Sequence, residues 1–231
     1  MDTLFPREPA VLRPGAVHRP DWLSLDEQRY WLERCRAWAR PPAGLRRPSM
    51  PDGTPLRIRS VCLGWHWYPY AYSRTVDDGD GAPVKAFPPD LAELSRRAVA
   101  EVADVAAALG GGSDDATARD AAGGFEPDAA IINWYDDGAR LGLHQDGVET
   151  VTDPVVTISL GDDCLFRLGR NDSPNRPWHD VHLHSGDLLV FGGPARSAYH
   201  GVVRTYPGTS PPELGMKRGR ISITVRRTGF D

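Results

Sequence analysis

Arg140-Leu141-Gly142-Leu143-His144-Gln145-Asp146 alternates with a period of two, as a β-strand does. Leu141, Leu143 and Gln145 then share one face, and Gly142, His144 and Asp146 share the other. An imidazole and a carboxylate are thereby set side by side. A second imidazole would complete a two-histidine, one-carboxylate set, which binds Fe(II) on one side and leaves the opposite positions open. His200, in Ala198-Tyr199-His200-Gly201-Val202, is the candidate. His-x-Asp is a weak signal by itself, so its surroundings carry the weight.

The same period runs on from Phe125. The pattern predicts strands at Ala129–Tyr135, Leu141–Asp146, Val155–Leu160, Cys164–Leu168, Trp178–His184, Leu188–Phe191, His200–Val203 and Arg220–Arg227. Turn sequences such as Asp136-Asp137-Gly138, Ser185-Gly186-Asp187 and Gly192-Gly193-Pro194 separate them. Strands this short and this punctuated indicate a β-sandwich or barrel. Two helices precede them. Ser24-Leu25-Asp26-Glu27 is a capping box opening a helix that Pro41-Pro42 stops. Pro88-Pro89-Asp90 opens a second, with Leu91, Leu94, Ala98, Val102, Val105 and Leu109 on one face and Gly110-Gly111-Gly112 at its end. The expected class is mainly β within α+β, both helices packing on one sheet. Residues 1–20 read as an irregular lead-in with at most one short strand, and residues 110–124 as a surface loop.

In Arg220-Ile221-Ser222-Ile223-Thr224-Val225-Arg226 the apolar and polar residues alternate strictly. Either this is an edge strand with a wet face, or its polar face lines a barrel. In the second case two interior arginines require anions, and a dicarboxylate such as 2-oxoglutarate suits them. Asn133 and Tyr135 share a face on the first of these strands and offer an amide and a phenol to the same ligand. His182 and His184, with Asp180, form a rival metal set. Trp65-His66-Trp67-Tyr68-Pro69-Tyr70-Ala71-Tyr72 is either core or a stacking platform for planar groups such as unpaired bases. His66 within it reads as a hydrogen-bonded structural histidine, and Asp77-Asp78-Gly79-Asp80-Gly81 as a solvated turn.

The bulk properties narrow the classes. The chain has 231 residues, 40% hydrophobic and 25% charged, with a net charge of −4. That supports one substantial core and no bulk attraction to nucleic acid, so any such binding needs local basic residues. Arg46, Arg47, Arg57, Arg59, Arg170, Lys217 and Arg218 are candidates to hold phosphates. Cys35, Cys62 and Cys164 are far apart and odd in number, which argues against a disulfide framework or structural zinc. The opening Met1-Asp2-Thr3-Leu4-Phe5-Pro6 carries no leader pattern and no run reaches membrane-spanning length, so the expected compartment is the cytoplasm.

Taken together, Asn133-x-Tyr135, His144-Gln145-Asp146, Ile158-Ser159-Leu160-Gly161, Ser185-Gly186-Asp187, Tyr199-His200-Gly201 and Arg220…Arg226 resemble the AlkB family of oxidative nucleic-acid dealkylases. The resemblance is strongest over residues 125–228. It implies a double-stranded β-helix (jelly-roll) core with an N-terminal nucleotide-recognition lid. It also implies one domain over residues 1–231, in which 1–124 supply lid and support helices and 125–228 the catalytic core. It assigns Fe(II) to His144, Asp146 and His200, which are also the catalytic residues. The co-substrate 2-oxoglutarate falls to Asn133, Tyr135, Arg220, Ser222 and Arg226, with O2 as the oxidant. Trp65, Tyr70, Tyr72, Val148 and Arg170 fall on the substrate side. The activity implied is demethylation of 1-methyladenine and 3-methylcytosine in single-stranded DNA, or in RNA, with release of formaldehyde, by a monomer that engages no membrane. Two positions depart from the bacterial pattern. Ser222 stands where those members carry asparagine, and Val148 where they carry an acid, with Glu149 adjacent as a substitute. The other classes consistent with the residues are a 2-oxoglutarate hydroxylase of protein or small molecules, and a non-enzymatic sandwich with the triad dispersed.

Overall fold

The computed structural model describes residues 6–108 and 124–230. Its elements are β1 (Ala10–Arg13), β2 (Ala16–Arg19), α1 (Leu25–Trp38), β3 (Ile58–Leu63), β4 (His66–Tyr68), β5 (Ala71–Ser73), α2 (Pro89–Ala108), β6 (Ala129–Tyr135), β7 (Leu141–His144), β8 (Val155–Gly161), β9 (Asp163–Leu168), β10 (His179–Leu183), β11 (Leu188–Phe191), β12 (His200–Tyr206) and β13 (Arg220–Arg226). The surface loop expected after α2 lies outside the described residues up to residue 123.

α1 starts where its capping box directs. Ser24 Oγ accepts the Glu27 amide at 3.3 Å, and the Glu27 carboxylate accepts the Ser24 amide at 2.9 Å. Trp31, Cys35 and Trp38 recur at helical spacing and are buried.

The strands form a seven-stranded sheet, ordered β1-β2-β11-β8-β13-β6-β3, and a four-stranded sheet, ordered β10-β9-β12-β7. All the pairings within them are antiparallel. Alternation gives the large sheet two different faces. Ile221, Ile223 and Val225 join Ala130, Ile132, Val156, Ile158 and Leu160 in a core shared with Trp31 and Leu32 of α1 and Leu91, Leu94 and Ala98 of α2. The opposite residues of the same strands face the small sheet, where Tyr135, Val155, Leu189 and Phe191 meet Phe166, Leu168, Leu183 and Val202. This is the jelly-roll of two facing sheets, with both helices on the outside of the larger one. β13 is a central strand, paired with β6 and β8 along its length, so its polar face is interior and the edge-strand reading fails.

Two local readings are corrected. The lead-in holds two strands, not one at most, and β2 pairs with β11 to extend the large sheet. Each is four residues long, too short for alternation to stand out between prolines and arginines. Gly15 turns one into the other at φ +80, and a side chain there would meet the Gly192 carbonyl oxygen at 2.3 Å. The aromatic run is a hairpin, β4 and β5, turning at Pro69-Tyr70. The acidic turn is not simply solvated: Asp78 accepts from the fully buried His66 at 2.7 Å and also pairs with Arg46. His66 is therefore the structural histidine expected. Among the described residues, no helix is long and apolar enough to cross a membrane.

Asp187 ties the lead-in to the barrel. Its fully buried carboxylate takes Arg7 at 2.6 and 2.7 Å, His18 at 2.9 Å, and the amides of Asp21 and His184 at 3.0 Å each. Burial opposes its ionisation, but His18, Arg7 and the two amides bring it down to about 2. Because the folded value lies below the unfolded one, this stabilisation is present above about pH 4 and is lost as the pH falls toward 2. Asp187→Asn should cost about 3 kcal/mol in urea unfolding at pH 7, by leaving Arg7 and His18 without their anion. It should also flatten the loss of stability between about pH 4 and pH 2.

Candidate metal centre and cavity

β12 pairs with β7 so that His200 lies directly opposite His144. Their ring centres are 4.5 Å apart. β7 ends at His144, so Asp146 is carried by the loop that follows and not by the strand expected to reach it. The loop still returns it to the histidines: one ligand atom from each of His144, Asp146 and His200 lies within 4.8 Å of the others. The Nδ1 atoms of His144 and His200 lie 2.9 and 3.0 Å from the carbonyl oxygens of Gly142 and Ala198. A carbonyl only accepts, so each Nδ1 carries the proton and each Nε2 has a free lone pair. Burial, with His144 alongside, pushes His200 down to about 4 against the pull of Asp146, which keeps it neutral at pH 7. Burial works against the Asp146 charge, but Arg226, His200 and His144 hold that carboxyl well below the usual range.

Asp146 Oδ2 is buried and receives no hydrogen bond. Arg226 Nη2 approaches it to 3.0 Å, so there is charge compensation without a donor aligned on the oxygen. An ionised oxygen without a donor, beside two free imidazole lone pairs, is the donor set a divalent transition metal requires. These residues fit Fe(II).

The cavity over this centre has a volume of about 360 Å³. The large sheet supplies one wall, including Asn133, Tyr135, Ser222, Thr224 and Arg226. The strand register aligns Ser60, Asn133, Ser222 and Ser159 in one polar row across four strands. Ser60 Oγ donates to Asn133 Oδ1 at 2.7 Å, which leaves the Asn133 amide hydrogens for a ligand. Arg220 shares the interior face of β13 with Ser222 and Thr224 but lies outside the cavity lining, fully buried and 5.1 Å from the centre of the Tyr135 ring. It donates to Ser159 Oγ at 2.9 Å, while its Nε and Nη1 have no partner. A buried guanidinium left this open costs several kcal/mol unless an anion completes it. Burial pushes the Tyr135 phenol up to about 12, so it donates and does not ionise.

Arg196 gives no sequence signal strong enough to find it, and Glu149, expected as a substitute for the acid absent at Val148, has a different role. Glu149 is almost fully buried and receives Arg226 at 2.7 Å, Tyr72 at 2.6 Å and Arg196 at 3.3 Å. Arg196 also donates to the carbonyls of Asp153 and Asp146. Between them they fix the loop that carries Asp146. Glu149 is thus not free to replace the acid missing at Val148. Burial opposes its ionisation, but Arg226 and Tyr72 hold it below the ordinary range.

Of the substrate-side candidates, Tyr70 and Val148 line the cavity, and Trp67 joins them. Trp65 is not in that lining: it packs on Phe230, with Arg74 3.4 Å over its ring. Tyr72 is engaged with Glu149 and packs on Phe230. Arg170 lies outside the lining and is held by both oxygens of Asp172. The rival histidines do not converge. His182 stacks on Tyr206, His184 pairs with Asp163, and Asp180 takes Arg167. Among the phosphate candidates, Arg46 is largely buried against Asp78 and Arg59 pairs with Asp136, which removes Arg46 from any phosphate surface.

The profile of the 2OG-Fe(II) oxygenase superfamily matches residues 15–226. A DNA N(6)-methyladenine demethylase of Arabidopsis thaliana, ALKBH1C, is 31% identical over 94% of this chain and 49% of its own length. The chain thus spans about half of that relative. The alpha-ketoglutarate-dependent dioxygenase AlkB of Escherichia coli is 34% identical over 72% of this chain and 68% of its own. The solved structure of OsALKBH1 superposes with a TM-score of 0.82 at 30% identity, covering 95% of this chain and 100% of the other.

Gly201 is where the two histidine strands touch. A side chain there would stand 2.6 Å from the Leu141 carbonyl oxygen and 2.7 Å from that of Gly142. Gly201→Ala should push β7 away from β12 and part His144 from His200. Anaerobic titration should show Fe(II) affinity falling roughly 10- to 100-fold, with the far-ultraviolet circular dichroism unchanged.

Proposed function

The chain belongs to the AlkB family within the 2OG-Fe(II) oxygenase superfamily, and from that premise we propose that it oxidatively removes alkyl groups from the nitrogens of DNA bases. The lesions proposed are 1-methyladenine and 3-methylcytosine in single-stranded DNA, with formaldehyde released and the base restored. One observation carries this reading: the His144, Asp146 and His200 ligand atoms converge beneath a cavity that the aromatic hairpin also lines.

In this reading His144, Asp146 and His200 hold the iron. Asn133, Tyr135 and Ser222 donate to 2-oxoglutarate, and Arg220 and Arg226 balance its charge. Iron, 2-oxoglutarate and O2 together supply the oxidation of the alkyl carbon. The protein orients the partners and keeps the centre dry. Tyr70, 72% exposed at the hairpin tip with φ +67, offers a ring on which an unpaired base stacks. A buried centre requires the base to leave its stack, and a methyl group that blocks pairing lowers that cost. Residues 1–231 act as one domain, a reading supported by the core that both helices share with the large sheet, and the proposal takes the chain as a monomer in the cytoplasm.

A second reading has its own observation. Val148 places an apolar side chain in the cavity wall, and Glu149 is occupied by Arg226, Tyr72 and Arg196. With Val148 apolar and Glu149 engaged, neither position offers a free carboxylate to an exocyclic amine, which suits an amine that itself bears the methyl group, as in N6-methyladenine.

Mass spectrometry of three single-stranded oligonucleotides, carrying 1-methyladenine, 3-methylcytosine or N6-methyladenine, separates the readings. The protein should remove one methyl group in a 2-oxoglutarate-dependent reaction that His200→Ala abolishes. Preference for the third oligonucleotide selects the second reading. Succinate formation with all three left intact would refute DNA demethylation.

A further inference from the structure

A second cavity, of about 490 Å³, opens on the helix-side face of the large sheet. Strand register builds its floor. Arg59 of β3 pairs with Trp134 of β6, and Trp134 pairs with Ile221 of β13, so the three side chains share one face. Leu32 and Arg36, one turn apart on α1, bound one side. The segment from Gly215 to Gly219 bounds another.

That segment is pinned at both ends. Arg36 Nη2 donates to the Gly215 carbonyl at 2.9 Å. The Gly219 amide donates to Asp162 Oδ2 at 2.8 Å, and its carbonyl accepts the Asp162 amide at 2.9 Å. The other oxygen of the buried Asp162 takes the amides of Gly208, Thr209 and Ser210. Met216, Lys217 and Arg218 are thereby presented to the cavity.

Its charge is one-sided. Arg36, Arg59, Lys217 and Arg218 line the cavity against a single carboxylate, Asp136. Asp136 accepts Arg59 Nη2 at 2.7 Å, yet Arg59 Nε is buried without an acceptor. Arg36 also pairs with Glu33, and Arg218 lies 3.7 Å from Asp137, but both carboxylates are outside the lining and these pairs are solvent-exposed. Such pairs hold their cations weakly. Four cations around an unmet guanidinium N–H suit an anion with several oxygens. Leu32, Trp134, Met216 and Ile221 add an apolar wall, and the half-buried Trp134 indole offers it a planar surface. The volume is that of a small-molecule pocket. Of the residues assigned to iron and 2-oxoglutarate, only Tyr135 lines this cavity as well as the catalytic one.

We propose that this second cavity binds a free nucleoside phosphate, with its base against Trp134 and Met216 and its phosphates among Arg36, Arg59, Lys217 and Arg218. A planar apolar body joined to a compact, highly charged anion matches the two halves of the lining. α1 and the pinned Gly215–Gly219 segment bound the space on two sides, which suits a molecule that ends inside it over a strand that runs through.

The test is isothermal titration calorimetry of the full chain with ADP, under argon, with Fe(II) and 2-oxoglutarate present to fill the catalytic site. It reads binding and needs no turnover, so its outcome is separate from that of the demethylation assay. ADP should bind at one site per chain. The double variant Lys217→Glu, Arg218→Glu, at exposed positions and with native circular dichroism, should weaken ADP roughly tenfold or more, and Arg59→Met should weaken it in the same direction. Pyrophosphate and adenosine should each bind at least roughly tenfold less tightly than ADP. No ADP binding, or full affinity kept in the folded double variant, overturns the site. Pyrophosphate binding as tightly as ADP overturns the nucleoside half. Displacement of ADP by an equal concentration of single-stranded pentathymidylate overturns the free nucleotide as occupant and gives the surface to a strand.

Discussion

The pairing of His200 with His144 across the β12–β7 ladder is the contact on which the candidate site depends. It joins residues far apart in sequence through backbone hydrogen bonds, and those bonds are cooperative with the whole small sheet. Phe191 and Phe166 pack on the His200 ring at 4.8 and 6.1 Å, so the imidazole is wedged as well as hydrogen-bonded. Gly201 allows the close approach that this geometry needs. Asp146 arrives from a loop, and Arg196 and Glu149 hold that loop in the place a strand would otherwise define.

The large sheet resolves a different conflict. Its central strands must bury apolar side chains under the helices and also face a polar ligand. Strict alternation does both at once, because each residue's face is fixed by its parity. A one-residue slip of β13 would place Ile221, Ile223 and Val225 in the cavity and both arginines under α1 and α2. The burial of Arg220 and Arg226 is thus specified by the same apolar pattern that makes the core.

What was legible in the sequence follows from this. β6 and β11 fall where alternation places them, and the alternating Arg220-to-Arg226 stretch is β13 itself, because a two-residue period survives without tertiary information. The capping box located α1. The triad was legible because His144 and Asp146 are close in sequence and His200 stood as the candidate second imidazole, which the resemblance then assigned to the same metal. The rest depended on contacts that no period reports. β1 and β2 exist because β11 offers them an edge and Asp187 holds Arg7 and His18. The choice between Trp65 and Trp67 was hidden, because the turn at Pro69-Tyr70 sets which rings face inward. Glu149 and Arg196 are single charges whose role appears only when the loop folds back on Arg226.

The most direct test of the account is an anaerobic titration of the protein with Fe(II) and 2-oxoglutarate, followed by visible absorbance. The account predicts a charge-transfer band that requires both additions, is lost in Asp146→Ala, and needs far more 2-oxoglutarate in Arg220→Met. No band in the folded native protein, or a band that survives Asp146→Ala, would contradict the assembly of these side chains into one iron and 2-oxoglutarate site.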